Sequence, residues 1–161
     1  MEAGDLQFWL RIAQIAAIPI GACIGAIVAI IGVRKTLAGN LERTQKTQAI
    51  NFVLARHQDG QYTKSVDVVI SAKERGLAIA GYADQKMRTD EISSSIRYIL
   101  NSHEYMAVAV NNGIFHEQML YESSRTSTVR IFKYLYPYIH VNREQTNKTA
   151  FVEFEKLARR W

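Results

Sequence analysis

The hydrophobic positions of this chain fall into one unbroken run followed by a series of periodic ones. Residues 12–33 read IAQIAAIPIGACIGAIVAIIGV, with Gln14 as the sole polar side chain. As a helix this run reaches about 33 Å, close to the roughly 30 Å hydrocarbon core of a bilayer. A signal peptide has a shorter apolar core followed by a small-residue cleavage site, whereas this run ends in Val33-Arg34-Lys35. A buried helix of a soluble protein rarely stays apolar on every face for this length. The pattern therefore predicts a transmembrane helix over residues 12–33.

Beyond the run the apolar period becomes helical. Residues 34–56 continue the helix as a polar stalk or as the first helix of a domain, with Leu37, Leu41, Ile50, Val53 and Leu54 loosely in phase and Gly39-Asn40 as a candidate hinge. Asp59-Gly60 signals a turn. Tyr62, Val66, Val69 and Ile70 predict a helix ending near Arg75-Gly76, followed by a loop with a short turn over residues 77–86. Thr89 or Asp90 caps the clearest helix, whose inner face is Ile92, Ile96, Ile99, Leu100, His103, Met106, Ala107 and Val110. Asn112-Gly113 stops it, and Ile114 and Phe115 are expected to pack across the corner. The next helix is predicted from His116 to Tyr136, ended by Pro137, and the last from Asn147 to Trp161 with Phe151, Phe154, Leu157, Ala158 and Trp161 inward. Nothing alternates with period two. The expected fold is all-α and oligomeric: a short extracytoplasmic N-terminus (1–11), a single membrane span (12–33), a juxtamembrane helix or stalk (34–58) and a cytoplasmic helical ligand-sensing domain (59–161).

Charge sets the orientation. Arg34, Lys35, Arg43 and Lys46 follow the span, whereas Glu2 and Asp5 precede it, so the C-terminal domain is expected on the cytoplasmic side of a cell inner membrane. Phe8 and Trp9 sit where an interfacial anchor belongs. Ala17, Gly21, Gly25 and Ala29 recur at four-residue steps, a small-residue stripe that lets membrane helices approach and predicts a homo-oligomer. Pro19 is a candidate kink. Cys23 is the single cysteine, which excludes a disulfide framework, and inside the apolar run it acts as a small apolar residue. The net charge of +5 suits an anionic lipid, nucleotide or nucleic acid without choosing among them.

Candidate chemistry is sparse. There is no phosphate-cradling glycine loop, nucleophile elbow or zinc-ligand pair, so no catalytic residue, metal or cofactor is expected and the chain is read as a non-enzyme. His103-Glu104 and His116-Glu117 look like a repeated pair, but a metal needs three or four converging ligands, and these are read as packing and helix-start residues. The cluster that favours binding is aromatic and basic. Arg125, Arg130, Lys133, Tyr134, Tyr138, His140, Arg143, Asn147 and Lys148 combine cations for phosphates with rings for bases, which points to a small anionic nucleotide or single strand rather than duplex nucleic acid.

The stretch IRYILNSHEYMAVAVNNGIFHEQMLYE, the arginine-bearing helix after it and the final TAFVEFEKLARRW resemble an uncharacterised family of bacterial and prophage proteins with one N-terminal membrane helix and a small helical cytoplasmic domain. The resemblance covers roughly Arg43 to Trp161. It includes Asn101, Glu104 and Gly113, which imply a buried polar contact for the first two and a helix stop for the third. The layout is also similar to a membrane effector of type III CRISPR systems, a tetramer that binds cyclic tetra-adenylate and harms the infected cell through its membrane part. That similarity rests on size, topology, basic charge and a self-associating span. It implies a cyclic oligoadenylate ligand, a tetrameric assembly and an antiviral role. The competing expectation is a prophage membrane protein acting by protein contact, as in superinfection exclusion or abortive infection. A membrane-bound nuclease or hydrolase would require converging carboxylates.

Overall fold

A computed structural model of the chain describes the backbone of residues 3–161 and the side chains of residues 25–161. Among the described residues there are five α-helices, α1 (Ala3–Gln58), α2 (Gly60–Glu74), α3 (Glu91–Asn111), α4 (Glu117–Gln145) and α5 (Val152–Arg160), with 3-10 turns at Ile79–Ala83 and Gln85–Met87 between α2 and α3. No strand occurs among the described residues, and the fold is all-α. The chain divides into two compact units, Met1–Arg43 and Thr44–Trp161.

Within the first unit α1 runs on without a break, and the candidate hinge at Gly39-Asn40 is helical. Ile27, Val28, Ile30, Ile31, Val33, Leu37 and Leu41 are all exposed. Among the described residues, no helix is long and apolar enough to cross a membrane. Most of the expected span, residues 12–24, lies outside the described side chains, as do Ala17, Pro19, Gly21 and Cys23.

The second unit is built around α3. Asp90 starts this helix by accepting the N–H groups of Ile92 (2.8 Å) and Ser93 (3.3 Å). Ile96, Ile99, Leu100, His103, Met106, Ala107 and Val110 are buried, as their spacing predicts, and Ile92 packs at the core's edge. α2 packs on one side of α3 and α5 on another. Asp59 caps α2 through Gln61 (2.9 Å) and Tyr62 (3.1 Å), and its second oxygen accepts the Tyr98 hydroxyl at 2.8 Å, tying α2 to α3. The last turns of α1 also belong to this unit: Ala49 is buried, Phe52 meets Phe115 at 5.2 Å, and Arg56 reaches the Ser102 carbonyl at 3.4 Å.

α3 ends where Gly113 takes a left-handed φ of 66°, a conformation that side chains resist. The reversal sends Phe115 into the core but leaves Ile114 53% exposed, so only one of the two expected corner residues packs.

α4 does not stop before Pro137. It continues to Gln145 with the proline inside. An interior proline costs about 3 kcal/mol, partly because the carbonyl four residues back loses its donor. Here that residue is Lys133, and both Lys133 and Pro137 face solvent, so water can satisfy the orphan carbonyl. The opposite face buries Leu135, Tyr138 and Ile139, each worth roughly 1.5–3 kcal/mol, and this outweighs the proline.

The last helix begins at Val152 rather than Asn147. The Asn147 side-chain oxygen accepts the Thr149 N–H (3.0 Å) and hydroxyl (2.9 Å), which holds a turn, and Phe151 adopts φ 58°. Right-handed helix cannot pass through that residue. Phe154, Leu157, Ala158 and Trp161 are buried beyond it.

Candidate ligand-binding site

Two hollows share out the residues that the sequence singles out. The first lies along the first two-thirds of α4. Arg125, Val129 and Lys133 repeat at four-residue steps beside Thr126, Arg130 and Tyr134, so helical geometry puts all six on adjoining rows. Lys73, from the last turn of α2, and Trp161, just past α5, complete a hollow of about 550 Å³. Its lining side chains include four cations and no carboxylate. Lys73, Arg130 and Lys133 form no ion pair among the described residues. The Lys73 ammonium lies 5.3 Å from the centroid of the Tyr134 ring. Arg125 is held in place: its Nε donates to the main-chain oxygen of Trp161 at 2.7 Å, and its guanidinium sits 5.2 Å from the Tyr121 ring.

Tyr134 faces a neighbouring slot of about 230 Å³ between α2 and α4, walled by Val66, Val69, Ile70, Ile99, Ile131 and Leu135. Lys73, Arg130 and Tyr134 border both spaces. The Tyr134 hydroxyl is shielded and has no hydrogen-bond partner, and desolvation raises its pKa above the ordinary phenol value. It is therefore a neutral donor at physiological pH. The combination offers anionic oxygens a cationic mouth and offers a planar or apolar group a dry recess.

The remaining expected site residues lie elsewhere. Tyr138 is buried in the core and, with Asn147, borders a second, polar cavity. His140 is exposed, 3.5 Å from Glu144. Lys148 is exposed in the turn before α5. Arg143 is structural: its Nε donates to the Ala150 carbonyl at 2.7 Å and its Nη1 pairs with Glu155, which locks the α4–α5 corner. The nine residues are thus divided because α4 is long: His140 and Arg143 return to the side of Arg125 and Lys133 by helical period but lie about 10–27 Å further along the axis, and Asn147 and Lys148 lie beyond its end. Thr126 and Val129 join the site by the helical period of α4, whereas Lys73 and Trp161 reach it only through the packing of α2 and the end of α5 against α4.

The two His-Glu pairs have separate structural tasks. His103 is fully buried, stacked on Phe154 at 4.9 Å, with Nε2 3.1 Å from the Tyr62 hydroxyl. His116 caps α4 by accepting the Met119 N–H at 3.3 Å. Glu117 binds Arg160 (2.8 Å) and the Trp161 indole (3.0 Å). Among the described residues, no three His, Cys, Asp or Glu side chains converge as metal ligands. Of the expected buried contact between Asn101 and Glu104, only Glu104 is part-buried, bonded to the start of α5; Asn101 is exposed.

No curated protein and no solved structure matches the chain. One family model does, described as Domain of unknown function (DUF4760), and the match runs over residues 19–161. Spanning most of the chain and all of the helical unit just described, it makes this protein a member of that family.

Proposed function

We propose that this chain is a membrane-anchored effector whose helical domain binds an anionic nucleotide messenger, with a cyclic oligoadenylate as the leading ligand. The observation that carries the reading is the hollow bordered by Lys73, Arg125, Arg130 and Lys133, which holds four cations and no acid beside Tyr134 and Trp161. Lys73, Arg130 and Lys133, which form no ion pair among the described residues, favour phosphates, and the adjacent rings favour bases. The domain is cytoplasmic, anchored by one inner-membrane span over residues 12–33, and the protein is a homo-oligomer, a tetramer by its similarity in layout. A symmetric ligand suits a symmetric assembly, to which each copy contributes the same cations. Ligand contacts that differ between two assembly states shift their populations, and the output is a disturbed bilayer rather than bond chemistry.

The test is titration of the detergent-solubilised full chain with cyclic oligoadenylates of several ring sizes. Binding is expected at about micromolar concentration, weakened about tenfold or more by Arg130→Ala and again by Lys133→Ala. Absence of binding to every ring size removes the ligand. Arg143 is left out of this test because its loss breaks the mostly buried pair with Glu155 at the α4–α5 corner.

A second reading, protection by protein contact without a nucleotide, is favoured by the apolar side chains that the helical unit leaves in solvent. Tyr105 is 63% exposed and Ile114 53%. Under this reading antiviral protection survives Arg130→Ala and Lys133→Ala but is lost with Tyr105→Ser.

A further inference from the structure

A second, polar cavity lies on the other side of α4. It encloses about 430 Å³ and shares no lining residue with the cationic hollow. Its size falls within the range of small-molecule sites, about 300–1,000 Å³. Along α3 it is bordered by Ser93, Arg97, Asn101 and Glu104, spaced to share one helix face.

Arg97 is fixed at one end. Its Nη1 donates to Ser93 Oγ at 2.8 Å, and its Nη2 donates to the Arg88 carbonyl at 2.7 Å and to Ser94 Oγ at 3.2 Å. All three acceptors are neutral, so the guanidinium is positioned while its charge stays unpaired, and its Nε–H remains free among the described residues. Arg88 borders the same end, and its side chain has no partner among the described residues. Two guanidinium groups at one end of a polar cavity match the oxygens of a phosphomonoester, which accept forked hydrogen bonds.

The middle has a different chemistry. Asn101 lies about 6 Å further along α3 than Arg97. Asn142 faces the cavity from α4 and Asn147 from the turn beyond it. The side-chain amides of Asn101 and Asn142 have no partner among the described residues, so each offers both a donor and an acceptor. Asp84 adds an acceptor: one of its oxygens takes the Lys86 N–H at 2.8 Å and the other has no partner among the described residues. Glu104 also borders the cavity, and each of its two oxygens already accepts one N–H from the start of α5. Neutral amides beside the Asp84 and Glu104 carboxylates are the partners of hydroxyl groups rather than of a second anion.

We infer that this cavity binds a small sugar phosphate, with the phosphate held by Arg88 and Arg97 and the hydroxyls by Asn101, Asn142 and Asp84. The inference is independent of the nucleotide reading of the α4 hollow, since neither arginine borders that hollow.

The experiment titrates the detergent-solubilised full chain with ribose 5-phosphate, ribose and inorganic phosphate by calorimetry. Ribose 5-phosphate is expected to bind at about 10–100 μM, inorganic phosphate at least about tenfold more weakly, and ribose not detectably at about 1 mM. Arg97→Gln and Arg88→Gln are each expected to weaken ribose 5-phosphate binding about tenfold or more. Arg88→Gln is the safer variant, because its side chain has no hydrogen-bond or ion-pair partner to lose among the described residues, and circular dichroism checks that the helices remain. Absence of binding at about 1 mM by a folded protein overturns the inference, as does binding undiminished by Arg88→Gln. Equal affinity for inorganic phosphate and ribose 5-phosphate overturns the role of the amides.

Discussion

The carboxylate of Glu104, on α3, accepts the backbone N–H of Phe154 at 2.7 Å and that of Glu153 at 3.3 Å. α5 has no side-chain cap of its own, since Phe151 stands at its start in a left-handed conformation. A side chain from another helix therefore supplies the anion that helix N-termini favour. Glu104→Ala is expected to destabilise the helical unit by about 1–2 kcal/mol and to speed hydrogen exchange in α5. Glu104→Gln keeps one acceptor and should cost less. Equal exchange rates in Glu104→Ala and the parent would refute the cap.

His103 makes stability depend on pH. Burial, and secondarily the nearby Arg56 charge, holds its pKa well below the ordinary 6.5. The unfolded chain protonates this residue near 6.5 while the folded chain does not, so the unfolded state binds more protons at lower pH. The contribution is complete above about pH 6.5 and is lost as pH falls toward the depressed folded value, with a limiting slope of about 1.4 kcal/mol per pH unit. Urea midpoints at pH 7.5 and 5.5 should differ more in the parent than in His103→Gln. A slope unchanged by the substitution would count against the buried neutral imidazole.

The Arg143–Glu155 pair acts in the same direction at lower pH. The Arg143 hydrogen bond, with help from Arg159, holds Glu155 below its ordinary value of 4.5. Its contribution is present above about pH 4.5 and is lost as pH falls through the lowered folded pKa. Both side chains are about four-fifths buried, so Arg143→Met is expected to cost about 1–3 kcal/mol and to flatten the acid limb of the stability curve. Ligand titration of this variant should match the parent, which separates Arg143 from the hollow on α4.

Pro137→Ala restores a donor to the Lys133 carbonyl and removes a ring from the helix interior. Because Pro137 faces solvent, no packing is lost. The variant should be more stable by about 1–3 kcal/mol, read as a higher urea midpoint. A lower midpoint would mean that the proline has a packing role on the exposed face.

The small-residue stripe is testable at Gly25. A Cβ added there meets nothing within 4 Å in the single chain. Gly25→Leu should therefore leave the isolated chain unstrained while blocking close approach of a second helix. In lipid nanodiscs the parent is expected to be oligomeric and the variant shifted to smaller species, measured by mass photometry. An unshifted distribution would remove the stripe from the interface.

The helices around α3 were legible in the chain itself, because their signals are local. Asp90, the Ile96-to-Val110 face and Gly113 each act within a turn or two of helix, so spacing alone determines them. The apolar run over residues 12–33 and the basic residues after it are local patterns too, and they fall within α1. Pro137 and the start of α5 were not legible, since their outcome depends on burial beside Leu135 and Ile139 and on a carboxylate 50 residues away. The candidate site divides the same way. The arginines, lysine and tyrosine of α4 share a face by helical period, but Lys73 and Trp161 reach them only through packing. Local period is written in neighbouring residues; which faces meet depends on how several helices together bury the most apolar surface, and no single segment encodes that.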